Sequence, residues 1–249
     1  GSVFSNANIG TDNWYYQAGD SPVDSKGNFE WAKENSAGWQ EYDFPKRPPV
    51  SGQNRIWLKT KIKGDNLKNL TLFFATQDQG VEVYVDGQLL SKRGSMKDND
   101  RYMGVYWHLV DLPSFSAEKT VYFRIYSNWE NSLGLIERLS IDTSRNHFSH
   151  ILQRDSMYIL SFPVALFITI IMIYAWFISK PKEKIYFYAM AFFGLLTTWT
   201  VSASDLKLFI NDDAGMWWYS LLFCVYAMPI FFNALAKEVV NEEYKAKIK

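Results

Sequence analysis

One cysteine, Cys224, stands in the whole 249-residue chain. A disulfide framework is therefore excluded, and any domain must be held by its own packed core. Charge of one sign is missing too: 26 basic and 26 acidic residues cancel, leaving no basic excess of the kind nucleic-acid binders carry. Catalytic signatures are also absent. There is no Gly-x-Ser-x-Gly elbow, no phosphate-binding glycine loop, no Cys-x-x-Cys and no His-Glu-x-x-His, so nothing supports nucleophilic or zinc-dependent catalysis. The chain reads as a non-enzyme. Gly1-Ser2 reads as a cleavage or cloning remnant (residues 1–2), as removal of a natural leader would leave.

Aromatic residues, at 17%, are what the chain has in plenty. Such a density suits a β-sandwich core, a membrane interface or a carbohydrate platform, so composition alone does not choose. Position along the chain does. Up to about Asn146, short apolar runs are punctuated by Gly, Asn, Asp and Lys; beyond Asp155 the apolar runs become long.

Three of these runs reach the ~20 residues a helix needs to cross a bilayer: 157–179, 185–204 and 216–236. None carries an ionisable residue, which argues against an ion or proton pathway through them. The connection after the first run holds Lys180, Lys182 and Lys184; the one after the second holds one lysine and three aspartates. Cationic loops stay in the cytoplasm. The N-terminal region is therefore expected outside and the C-terminus inside. Residues 237–249 read as a charged cytoplasmic tail that a longer protein would continue.

In residues 3–143, period-two alternation marks strands. Ile56–Ile62 puts Ile56, Leu58, Thr60 and Ile62 on one face and Trp57, Lys59 and Lys61 on the other. Further strands are expected at Leu70–Ala75, Val81–Val85, Trp107–Leu112, Thr120–Ser127 and Leu135–Ile141, with one or two edge strands before Pro45. Asp86-Gly87, flanked by alternating apolar residues in VEVYVDGQLL, is a strong hairpin signal. Antiparallel strands with one polar face imply an all-β sandwich or jelly roll, here an extracytoplasmic domain followed by an α-helical transmembrane region.

Four stretches carry a resemblance: WQEYDFPKRPP at Trp39–Pro49, then RIWLKTKI, VEVYVDGQ and VYFRIYS. Their order resembles the galactose-binding-like jelly roll that heads β-galactosidases and β-glucuronidases. The layout, with this module feeding into membrane spans, is similar to bacterial seven-transmembrane receptors with diverse intracellular signalling modules. The resemblance implies a sensory domain passing a carbohydrate or protein signal through membrane helices, commonly as a homodimer. Output would lie in a cytoplasmic diguanylate cyclase, histidine kinase or similar domain. This chain departs from the family in holding three spans and no output domain. The alternative is a membrane-tethered sugar- or protein-binding module of an envelope complex without signalling.

Ligand-binding candidates fall in two loops. The first, SKRGSMKDNDRYMGVYW, offers Arg93, Asp98, Asp100, Arg101, Tyr102 and Trp107; the second, SNWENSLG, offers Trp129, Glu130 and Asn131. Aromatic faces stack on sugar C–H groups, and the charged and amide groups supply hydrogen bonds. No cofactor is required, although Asp98-Asn99-Asp100 could hold calcium loosely; Tyr102-Met103 break the EF-hand pattern. His147 and His150 share a helical spacing but lack a third ligand, so no metal site is expected. In the juxtamembrane segment 144–156, Phe148, Ile151 and Leu152 recur at helical spacing, which predicts a signal-coupling helix running unbroken into the first span.

Overall fold

The computed structural model describes residues 13–34, 36–62, 70–97, 101–114, 118–179 and 183–248. The chain divides into two compact units, Gly1–Ser149 with Asp213–Gly215, and His150–Asp212 with Met216–Lys249.

The first unit is a β-sandwich. Its strands are β1 (Trp14–Ala18), β2 (Gln40–Tyr42), β3 (Arg55–Ile62), β4 (Leu70–Gln77), β5 (Gly80–Val85), β6 (Gln88–Arg93), β7 (Val105–Asp111), β8 (Lys119–Tyr126) and β9 (Glu137–Thr143). One sheet has the order β2-β1-β3-β8-β5-β6 and the other β7-β4-β9; every pairing is antiparallel. Ile56 and Leu58 of β3, Leu72 and Phe74 of β4, Val83 of β5 and Val110 of β7 meet in one core between the sheets. Trp14 lies in it too, stacked on Phe44 at 4.2 Å between ring centroids. The hairpin forms as expected: Val85 pairs with Gln88, and Asp86 and Gly87 both take positive φ (51° and 77°), the pattern of a type I′ turn.

Before Pro45, β2 is the expected edge strand, while β1 is paired on both sides, by β2 and β3. One expectation fails in this unit: the outer face of the large sheet is not polar. Trp57 is wholly buried, together with Tyr84 and Tyr122, under Phe29, Trp31 and Trp39 from the segment between β1 and β2. That cover also encloses charge. Arg124 reaches Asp20 through Nε (2.8 Å) and Glu82 through Nη1 (2.9 Å), and Lys92 and Tyr84 complete the bonds to Glu82 at 2.8 Å each. A buried carboxylate is tolerable only when paired and hydrogen-bonded in this way.

Strand β9 passes directly into α1 (Ser144–Arg154), with Thr143 and Ser144 adjacent. The second unit holds α2 (Ser156–Ile178), α3 (Lys184–Ala203), α4 (Lys207–Ile210) and α5 (Ala214–Ile248). Three helices, Ser156–Ile178, Lys184–Ala203 and Ala214–Val240, are long and apolar enough to cross a membrane. Large side chains such as Phe167 (64% exposed) and Tyr226 (75%) stand on their surfaces, which water would penalise and lipid would not. Where α2 and α3 pack, Gly194 lies beside the Thr169 methyl group. The Thr169 and Thr197 hydroxyls bond back to the carbonyls of Ala165 and Phe193 at 2.8 Å, the small-residue packing found between membrane helices.

The helix expected to run unbroken is interrupted. Asp155 sits in a turn between α1 and α2 with ψ near 5°, far from the helical −42°. Its carboxylate is used elsewhere: Oδ2 accepts from Ser204 Oγ (2.7 Å), Asp205 N (2.6 Å) and Leu206 N (3.2 Å). Asp155 thus braces the turn between α3 and α4 rather than continuing α1 in a straight line. Backbone bonds still bridge the break, from Asp155 N to Ile151 O and from Ile159 N to Asp155 O.

Candidate functional site

The two expected ligand loops come together at one end of the sandwich, joined by residues that the sequence reading did not single out. Asp78 and Gln79, in the link between β4 and β5, are 1% and 0% exposed. The Asp78 carboxylate accepts from Met103 N at 2.7 Å, in the first loop, while its backbone carbonyl accepts from Ser127 Oγ at 2.8 Å, at the base of the second. Gln79 donates to Leu135 O (2.8 Å) and accepts from Gly134 N (2.9 Å). One two-residue link therefore organises both loops. Asp78 takes a positive φ of 54°, which Asp tolerates better than most residues. Gly80 follows where a Cβ would strike the Ser95 carbonyl. Burial raises the Asp78 pKa above the ordinary range, and the Met103 amide only partly offsets this.

The candidates themselves separate into buried and presented groups. Trp107 is 4% exposed, with the Arg93 guanidinium 5.3 Å above its ring and bonded to its carbonyl at 3.3 Å. It is a wall rather than a stacking surface. Tyr102 accepts from Gln77 Nε2 at 3.1 Å, and burial raises its pKa. Arg101 pairs with Asp213 at 3.2 Å. Trp129, by contrast, is 63% exposed. Beside it, the Glu130 carbonyl and the Asn131 side chain accept from Arg47, and the Glu130 carboxylate accepts from Gly52 N at 3.5 Å. An exposed indole beside an exposed carboxylate and amide is chemistry that can stack on and hydrogen-bond a polar ligand. Asp98 and Asp100 lie outside the described residues.

Among the described residues, no group of three or more His, Cys, Asp or Glu is placed to hold a metal ion. His147 is buried instead: it stacks on Phe73 (5.4 Å) and bonds Thr71 O through Nε2 at 3.0 Å, while His150 is exposed. In the coupling segment Ile151 is buried, and Phe148 and Leu152 are more than a third exposed.

No family model and no curated protein matches the chain. Among solved structures, a β-glucuronidase from Faecalibacterium prausnitzii is similar at 11% identity and a TM-score of 0.32, over 50% of this chain and 21% of that one. The chain thus spans about a fifth of that enzyme's length, and so slight a likeness decides nothing about fold or function.

Proposed function

We propose that this chain is the sensory input portion of a bacterial inner-membrane receptor. Its sandwich, a galactose-binding-like jelly roll on this reading, faces outward and meets a carbohydrate or protein ligand. The helices cross the membrane as part of a homodimer and pass the signal to a cytoplasmic output domain. The lysine asymmetry of the connections supports the orientation.

The observation that carries the reading is the continuity of β4, β9 and α1. Strand β4 holds the Asp78–Gln79 link at its C-terminal end. Near its other end, Thr71 receives His147 of α1, and the paired strand β9 enters α1 without a loop. A ligand that shifts the two loops would have a short packed route to the helix that precedes the first span. Such a device works only if the ligand binds one of two states better than the other.

The test has two parts. In a Cys224→Ser background, Gln88→Cys should react with an impermeant maleimide added to spheroplasts and Lys245→Cys should not; the reverse labelling overturns the orientation. With a diguanylate cyclase fused after Lys249, a Gly-Gly insertion following His150 should abolish regulated output. Unaltered output would defeat the coupling.

A further inference from the structure

Strand β2 stops pairing at Gln40, opposite Tyr16, whereas β1 continues through Ala18. Where the edge strand ends, a cleft of about 380 Å³ opens between β1 and the loop leading to β3, within the ~300–1,000 Å³ of small-molecule sites. Every residue that lines it is uncharged. Three are glutamines: Gln17 and Gln40 on the strand side, and Gln53 on the loop side.

These amides are not equally satisfied. Tyr16 Oη donates to Gln40 Oε1 at 2.6 Å, which occupies that oxygen and leaves the Gln40 amide nitrogen for another acceptor. Gln17 Oε1 is buried with no hydrogen-bond partner. Native structures rarely leave a buried carbonyl oxygen so, because it has lost water and gained nothing. Gly38, at φ 91°, closes one side; a Cβ there would come within 3.0 Å of Gln17 Nε2. The glycine thus keeps space beside that amide. Pro49 and Val50 add an apolar wall.

We infer that this cleft is a binding site for a neutral saccharide. An anion would meet no cation here, and a cation or zwitterion no carboxylate. A planar base would find no exposed aromatic face, since Tyr16 is the one aromatic residue in the lining and is itself buried. A sugar hydroxyl both donates and accepts, as a carboxamide does, and its C–H faces suit Pro49 and Val50. The cleft would be a ligand site additional to the two loops, and its physiological meaning rests on the receptor reading; the binding event itself does not.

Calorimetric titration of the full chain in lipid nanodiscs tests it, with the methyl glycosides of glucose, galactose, mannose and N-acetylglucosamine, and methyl glucuronide as the charged control. At least one neutral glycoside should bind with a Kd of about 1 mM or tighter, and the glucuronide more weakly. Gln17→Ala should weaken binding about tenfold, the loss of one buried hydrogen-bond partner. Ser51→Trp, at the exposed mouth, should block it with the melting temperature unchanged, and decides the matter if Gln17→Ala fails to fold. No neutral glycoside binding, water alone filling the cleft, overturns the inference; so does binding that survives Ser51→Trp, or equal affinity for the glucuronide. Glycoside binding without regulated output from the cyclase fusion sinks the receptor and leaves the cleft. Output regulated without glycoside binding does the converse.

Discussion

The two units treat the same residue types in opposite ways. In the sandwich, Trp14 and Trp57 are wholly enclosed and the lysines lie outside; in the helical unit, Phe167, Tyr174 and Tyr226 form the surface and hydroxyls turn back onto their own helices. Both arrangements obey one rule, that apolar surface avoids water and backbone polar groups find partners. The medium that each unit is built to meet is what differs.

The sharpest way to break that contrast is to truncate one aromatic in each unit and follow denaturant unfolding in nanodiscs. Trp14→Ala should cost about 4 kcal/mol, since its stack on Phe44 and Phe123 leaves a cavity. Phe167→Ala, on an outward face, should cost less than about 0.5 kcal/mol. A charge should reverse the asymmetry. Ile170→Arg places a guanidinium mid-way along α2 and should reduce insertion, read by glycosylation mapping, by about 3 kcal/mol.

Within the sandwich, Arg124→Ala should cost about 3 kcal/mol, because the buried Glu82 carboxylate keeps Lys92 but loses its closest guanidinium. Burial alone would raise the pKa of Glu82. Bonds from Lys92, Arg124 and Tyr84 more than reverse this and hold it low, so its contribution is present at neutral pH and is lost only as pH falls below the ordinary carboxylate range.

His108 operates in a different window. Complete burial, then the Arg93 charge, pushes its pKa down to about 3. Between roughly pH 6.5 and 3 the unfolded chain takes up a proton that the folded chain refuses, so stability falls with falling pH, by at most about 1.4 kcal/mol per unit. His108→Gln, able to keep the Thr76 hydroxyl bonded, should flatten the melting temperature between pH 6.5 and 4.5. An unchanged slope would assign the effect to another group.

What the sequence made legible was local. Asp86-Gly87 carries its own turn geometry, and alternation in Ile56–Ile62 marks β3 within one residue of its observed start. The lengths of α2 and α3 followed from uninterrupted apolar runs, whereas α5 runs on past its apolar run. What stayed hidden depends on distant partners. Trp57 looked solvent-facing because the segment that covers it has no periodicity of its own. Asp78 and Gln79 carry no local signal in TQDQG, since their partners stand 25 to 56 residues away. Asp155 marks in the sequence only where the apolar runs begin, and the bonds it makes 49 to 51 positions later explain why the helix yields there. For the site, Trp129 was recognisable as an isolated aromatic in a polar loop, whereas the cleft beside Gln17 needs the register of β1 against β2 to exist at all.

Helix α5 runs for 35 residues without a break, about 50 Å at 1.5 Å per residue, against a hydrocarbon slab of about 30 Å. Were it to cross such a slab upright, about two fifths of the rod would project past the greasy layer. A roll of that rod about its long axis would then be felt at the protruding tip, much as a key turns the far side of a lock.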